Sequence, residues 1–297
     1  MILVITLEGK LMELFLDCLK DAFFDTLKLL PLLFLTYLLM EYIEHKGNEK
    51  MEAVIQRSGR LGPLAGAFLG LVPQCGFAGA AAGFFSSRMI TPGTLFAIFL
   101  STSDEMLPLM IASAAPASTI LHILGAKLIL AIVLGFLLDL FLAGKRQFVQ
   151  DHVCAMCERE HCGCEEHGIL RAAVNHSLRI SLFILLISLT LNLLIELAGL
   201  SRISGAFLSS PLWGTVITAL VGLIPNCTPS LIITTFYLQG VLSGGAMMAG
   251  LLTNAGMGLL VLYRTNPSWK ENLCFTALLY LAGVIIGLLT NLMGIVF

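Results

Sequence analysis

The sequence predicts an all-α membrane protein built from two inverted repeats, with about ten helical segments in all. Three observations predict it. Of 297 residues, 57% are hydrophobic and only 12% are charged, with a mean hydropathy of +0.92, whereas a soluble domain carries roughly 25% charged residues. The apolar runs are long and continuous, without the alternation of an outer-membrane barrel, so the spans are helices. The third observation is a repeat: Gly70-Leu71-Val72-Pro73-Gln74-Cys75-Gly76 returns as Gly222-Leu223-Ile224-Pro225-Asn226-Cys227-Thr228.

Both copies lie inside apolar runs. Proline removes a backbone donor and clashes with the preceding turn, so each copy interrupts a helix where unpaired backbone is costly in lipid. Such a break is tolerated where freed carbonyls and helix ends line a polar cavity, so the two breaks are expected to face one another near the membrane midplane.

In chain order, the first long apolar segment runs from about Asp17 to Glu44, with Pro31 as a kink, and a polar loop follows from His45 to Arg60. Leu61 to Ser87 carries the first break, which divides it into pieces of about 16 Å and 20 Å, each shorter than a ~30 Å hydrocarbon core. Two half-helices in a re-entrant hairpin fit best, and two short tilted spans are the alternative. Apolar segments at about Pro92 to Ala114 and Ser118 to Leu142 complete residues 1–142, the first repeat. Residues 143–171 form a polar loop. The second repeat, residues 172–297, has the same order: Ala172 to Gly199, the broken Ser209 to Gln239, Ser243 to Tyr263 and Trp269 to Phe297. Each half thus holds three full crossings and one hairpin, six crossings and two hairpins in total.

A shift of 152 residues places Gly70 on Gly222, Pro73 on Pro225, Cys75 on Cys227, Gly93 on Gly245, Thr102 on Asn254, Gly135 on Gly287 and Asp139 on Asn291. A shift of 155 brings Glu41 onto Glu196 in the leading helices. One offset across three segments reads as a duplication. An odd number of crossings per half inverts the second half relative to the first. The loops at His45–Arg60, Arg88, Ala143–Arg171 and Arg264–Lys270 then share one side and most of the Lys and Arg, which makes that side cytoplasmic. Met1 to Lys10 lack the features of a removable signal peptide. A net charge of −2 gives no reason to expect nucleic acid as a partner.

The third apolar segment carries Ser101-Thr102-Ser103-Asp104-Glu105, and adjacent carboxylates at membrane depth need a cavity, a partner or a cation. Its match is the uncharged Thr253-Asn254-Ala255-Gly256. Inverted repeats would bring the two stretches to one centre. Together with Gln74, Cys75, Asn226 and Cys227 they form a mixed oxygen and sulfur set, which suits a borderline divalent transition metal better than calcium or magnesium. Ser101, Ser103 and Thr253 have a second reading as polar glue between helices, and a buried Cys as a small hydrophobe. Glu105 points to a different helix face from Asp104. Glu41, Asp139 and Glu196 lie near helix ends, where a carboxylate can reach the interface; they are also candidate proton-relay groups.

The polar loop holds His152, Cys154, Cys157, His161, Cys162, Cys164 and His167, enough thiols and imidazoles for a tetrahedral soft-metal site. The spacing is too tight for a zinc-finger fold, so a chelating loop at the cytoplasmic mouth is expected, with reduced thiols. A redox-sensitive or merely solvated connector is the alternative. No enzymatic motif of the zinc-protease, nucleophile-elbow or phosphate-loop type is present. Transport without an ATP site would draw on an ion gradient or the substrate's own gradient.

The paired breaks, the Ser101–Glu105 stretch and the Cys/His-rich loop resemble a bacterial family of heavy-metal exporters with about ten transmembrane segments, assigned to manganese or arsenic efflux and related to the arsenical permeases. The resemblance covers essentially the whole chain. It implies Asp104, Cys75, Cys227 and Asn254 as substrate contacts, and an inner-membrane, multi-pass location. The expectation is therefore a secondary transporter that exports a divalent transition metal of the manganese, zinc or iron type by alternating access. It has no prosthetic group; the metal is its substrate, the bilayer its environment and a proton its candidate coupling ion, with the oligomeric state left open. An arsenite permease, or a metal sensor working through the Cys/His loop, are the alternatives.

Overall fold

The computed structural model describes residues 61–73, 75–103, 105–142 and 211–295, residue 297, and helical positions scattered through 12–38 and 174–193; Cys75 and Pro211 are described by backbone alone. Among the described residues there are helices and no strands, as an all-α membrane protein requires. Ten helices have defined ends. In the first half these are α1 (Gly62–Gly70), α2 (Cys75–Ser86), α3 (Pro92–Ser101), α4 (Met106–Ala112) and α5 (Ala117–Leu142). In the second they are α6 (Pro211–Gly222), α7 (Thr228–Leu238), α8 (Gly244–Thr253), α9 (Met257–Thr265) and α10 (Trp269–Leu292). The 152-residue offset carries the bounds of α3 onto those of α8 residue for residue.

Both expected breaks are present. α1 ends at Gly70 and α2 begins at Cys75, with Pro73 between; α6 ends at Gly222 and α7 begins at Thr228, with Pro225 between. Each third segment, read from the sequence as one apolar crossing, is divided at its middle. Pro92–Ala112 and Gly244–Thr265 are long and apolar enough to cross a membrane end to end, as are α5 and α10. The first is nevertheless interrupted between Ser101 and Met106, and the second between Thr253 and Met257. The cause is local competition for backbone groups. Thr102 leaves the helix with ψ 126°, and the Ser103 hydroxyl donates to the Ser101 carbonyl at 2.9 Å. On the other side Asn254 turns extended, and its side-chain oxygen accepts from Gly256 N at 3.2 Å. Gly256 has φ +51°, which glycine adopts without the clash of a Cβ.

Helix starts follow from capping chemistry. Thr91 and Ser243 sit before α3 and α8 and accept from Thr94 N and Ala246 N. Ser268 caps α10 by accepting from Glu271 N at 3.4 Å, the pairing expected of Ser-x-x-Glu.

α3 and α8 with its continuation α9 form the buried centre, whereas α5 and α10 lie outside and present Leu121, Ile129, Leu140, Leu281, Ile285 and Leu292 outward. Apolar side chains facing lipid cost nothing, so packing between helices comes from small residues. At the α3–α5 crossing a methyl on Gly93 would lie 2.1 Å from the Gly135 carbonyl, and at the α8–α10 crossing one on Gly245 would lie 2.2 Å from that of Gly287. Gly245→Ala is therefore expected to cost about 1–3 kcal/mol of stability, read as a lower melting temperature in detergent. Gly125→Ala is the control, since a Cβ there meets nothing within 4 Å; equal melting of the two variants would refute the close crossing.

Candidate functional site at the four helix breaks

The four breaks form a connected chain of contacts. Within the first half, Gly70 at the end of α1 abuts Ser101 at the end of α3: a methyl on Gly70 would lie 2.1 Å from Ser101 Oγ. The second half repeats this, with Gly222 against Thr253 Oγ1 at 2.3 Å. Between halves, a methyl on Gly258 in α9 would come within 2.8 Å of both Ala78 in α2 and Phe99 in α3. The Asn254–Gly256 break of one half is thus brought close to the Cys75 end of α2 in the other.

The described site residues divide by what their polar atoms do. Ser101, Ser103, Thr253, Asn254, Asn226 and Cys227 are all buried, and Glu105 is half-buried at the start of α4. Ser101 Oγ donates back to the Ala97 carbonyl at 2.8 Å. Thr253 Oγ1 donates to the Ala219 carbonyl of α6 at 2.8 Å. Ser101 thus bonds within its own helix and Thr253 across to another, the second matching the polar-glue reading, and each oxygen keeps lone pairs to offer a cation. Asn226 Oδ1 accepts from Cys227 N at 2.6 Å, holding the turn ahead of α7. Cys227 occupies the N-cap of α7 and is 4% exposed.

Gln74, Asp104, Glu41, Glu196 and the whole Cys/His loop from His152 to His167 lie outside the described residues, as does the side chain of Cys75. Among the described residues no three His, Cys, Asp or Glu side chains come together as a metal-binding group.

Asp139 is not part of the central cluster, and its expected reach to the interface is corrected. It is buried, and accepts from Thr91 Oγ1 at 2.6 Å and from Gly93 N at 2.9 Å. Its carboxylate thus sits on the N-terminus of α3, where a helix dipole favours negative charge. That is ten residues from Ser101, or about 15 Å. Asn291 makes the matching bond, accepting from Gly245 N at 3.1 Å.

Sequence reasoning missed Lys127. It lies in α5, fully buried, and its ammonium donates to the carbonyls of Thr102 and Leu251, the latter at 3.0 Å. Those carbonyls belong to the ends of α3 and α8, so a cation is held at two negative helix termini from the two halves of the chain. The signal was available: a single lysine in a 26-residue apolar helix is a functional candidate on its cost alone.

A second cluster ties the halves together at one end of the molecule. Ser86 Oγ and Thr265 Oγ1 are 2.6 Å apart, and Arg88 pairs with Glu271 at 2.8 Å. Asn266 donates to Asn272 Oδ1 at 2.7 Å. Beneath them the Phe275 ring meets Phe96 and Phe99 edge to face, with centroids 5.5 and 5.6 Å away. The offset-matched positions at the opposite end, Leu238 for Ser86, Ser113 for Thr265, Gly240 for Arg88 and Thr119 for Glu271, cannot form these pairs. In keeping with this, α2 packs closely on α9, whereas the matching pair α4 and α7 touches sparsely. Leu238, Gly240 and Ser113 are exposed.

The profile of a family described as "Putative, 10TM heavy-metal exporter" matches residues 10–199. No curated protein and no solved structure matches the chain. That profile spans more than half of the sequence, and the chain beneath it is a multi-pass helical membrane protein, so the protein belongs to this family of heavy-metal exporters.

Proposed function

We propose that the protein is a secondary transporter that exports a divalent transition metal across the inner membrane by alternating access around its paired helix breaks. The observation that carries the reading is the inequality of two interfaces that the repeat makes equivalent: α2 on α9 is closely packed and latched, and α4 on α7 is sparse and exposed. In an inverted repeat, exchanging the two packings would exchange the sealed side for the open one. In this reading the latched end, where Lys and Arg gather, faces the cytoplasm, and this conformation is the one sealed inward and open outward.

Buried hydroxyl, amide and thiol groups at the breaks support a borderline metal as cargo. In this reading Asp104 supplies the anionic ligand and Cys75 and Cys227 the soft ones. Gln74, Ser101, Ser103, Glu105, Asn226, Thr253 and Asn254 complete the surroundings, and the Cys/His loop collects metal at the cytoplasmic mouth.

Proteoliposome uptake of manganese, zinc, iron(II), cadmium and arsenite tests it, with the native chain beside Asp104→Asn and Cys75→Ser/Cys227→Ser. Divalent flux that falls by at least about tenfold in both variants is the expected result, since each change removes a ligand that shields the ion from hydrocarbon. Lys127 supports a second reading, because a fixed positive charge at the breaks also suits an uncharged cargo such as arsenite. Arsenite flux that survives Asp104→Asn and is lost in the cysteine variant would decide for it.

A further inference from the structure

We propose that Lys127 is a tethered substitute cation: its ammonium occupies the carbonyl oxygens at the breaks while no metal is bound, and the incoming metal displaces it. The inference rests on the divalent-metal reading and concerns how the empty carrier resets. Leu251 lies in the last turn of α8, and its carbonyl lacks the usual helical donor because Ala255 N bonds to Thr253 O instead. Thr102 is the C-cap of α3. Carbonyls at interrupted helix ends are the groups that coordinate cations inside transporters. Here Ser101 and Ser103 flank one of them, and Thr253 and Asn254 follow closely on the other.

A site built to attract a divalent ion is costly to carry through the membrane empty, because its oxygens lose water and gain no cation. Lys127 removes that cost. Its four-carbon stem lets the ammonium reach the oxygens from α5, and the same flexibility lets it withdraw when a metal ion takes them. No proton need be gained or lost in the exchange. Two arrangements then exist, metal on the carbonyls or ammonium on the carbonyls, and both allow the two interfaces to swap their packing.

This separates two fluxes that a simple loss of structure would lower together. Lys127→Gln is expected to retain manganese-for-manganese exchange between two metal-loaded compartments, because the site is occupied in both directions. Net manganese movement into a metal-free compartment is expected to fall by more than about tenfold, because the empty site returns slowly. Lys127→Arg, which keeps a permanent charge, is expected to recover most of the net movement. Net flux undiminished in Lys127→Gln would overturn the proposal, as would a matched loss of exchange and net flux in a variant that melts like the native chain.

Should Lys127→Gln fail to fold, the native chain supplies the test. Amine-labelling mass spectrometry is expected to show Lys127 reacting faster when manganese is added, and an unchanged rate with manganese bound would overturn the displacement. If the native chain moves no divalent metal at all, the metal reading fails, a result distinct from any of these.

Discussion

Ser86→Cys/Thr265→Cys is expected to stop transport when oxidised and to recover it on reduction. A disulfide needs Cβ atoms about 3.5–4.5 Å apart, and two hydroxyl oxygens 2.6 Å apart put their carbon atoms within reach of that. The bond would fix α2 to α9 at the end that must open for cytoplasmic metal to enter. Flux is expected to fall by more than about tenfold, because opening of this end becomes the forbidden step of the cycle. The chain has eight native cysteines, so each single variant under the same oxidant is the control. Full flux from protein whose cross-link is verified by mass would show that this end does not open, and alternating access at α2 and α9 would be abandoned.

Asp139 carries the second large effect. Asp139→Ala leaves Gly93 N–H without its acceptor and takes the carboxylate from Thr91. A buried donor left unpaired costs about 1–3 kcal/mol, and Thr91 Oγ1 keeps Thr94 Oγ1 at 2.7 Å, so a loss of about 1–3 kcal/mol is expected, measured as a lower melting temperature in detergent. Asp139→Asn should melt close to the native protein and transport normally, because Asn291 already serves the matching helix with an amide oxygen. The comparison also tests the proton-relay role. A folded Asp139→Asn protein that has lost transport, or the dependence of its flux on a proton gradient, would assign the carboxylate to coupling rather than to capping.

Much of this architecture was legible in the chain because its signals are local. Pro73 and Pro225 each remove a backbone donor and crowd the preceding turn, so the breaks after Gly70 and Gly222 could be read without a partner in view. Gly93, Gly135, Gly245 and Gly287 kept one spacing, and they mark the two crossings where backbones touch. The breaks after Ser101 and Thr253 were harder, since polar side chains that compete with the backbone are also compatible with a continuous helix. Their chemistry was noticed and their geometry was not. Lys127 stood out by its cost alone in an apolar helix, but its partners Thr102 and Leu251 did not. The Arg88–Glu271 pair was hidden because the two are 183 positions apart, a distance over which no pattern in the sequence reports contact.

The cross-half packing of α2 on α9 has a consequence for biosynthesis. Ser86 and Thr265 are separated by 179 positions, so α2 enters the membrane long before its partner has been made. During that interval the inner face of α2, including Ala78, Ala81, Ala82 and Phe85, has only the first half to cover it. Among the described residues one core is shared between the two halves. Maturation therefore ends in a single late docking event, and cooperative unfolding should follow the same course in reverse, with both halves released together. A polypeptide truncated before α9 would leave α2 without that partner for good.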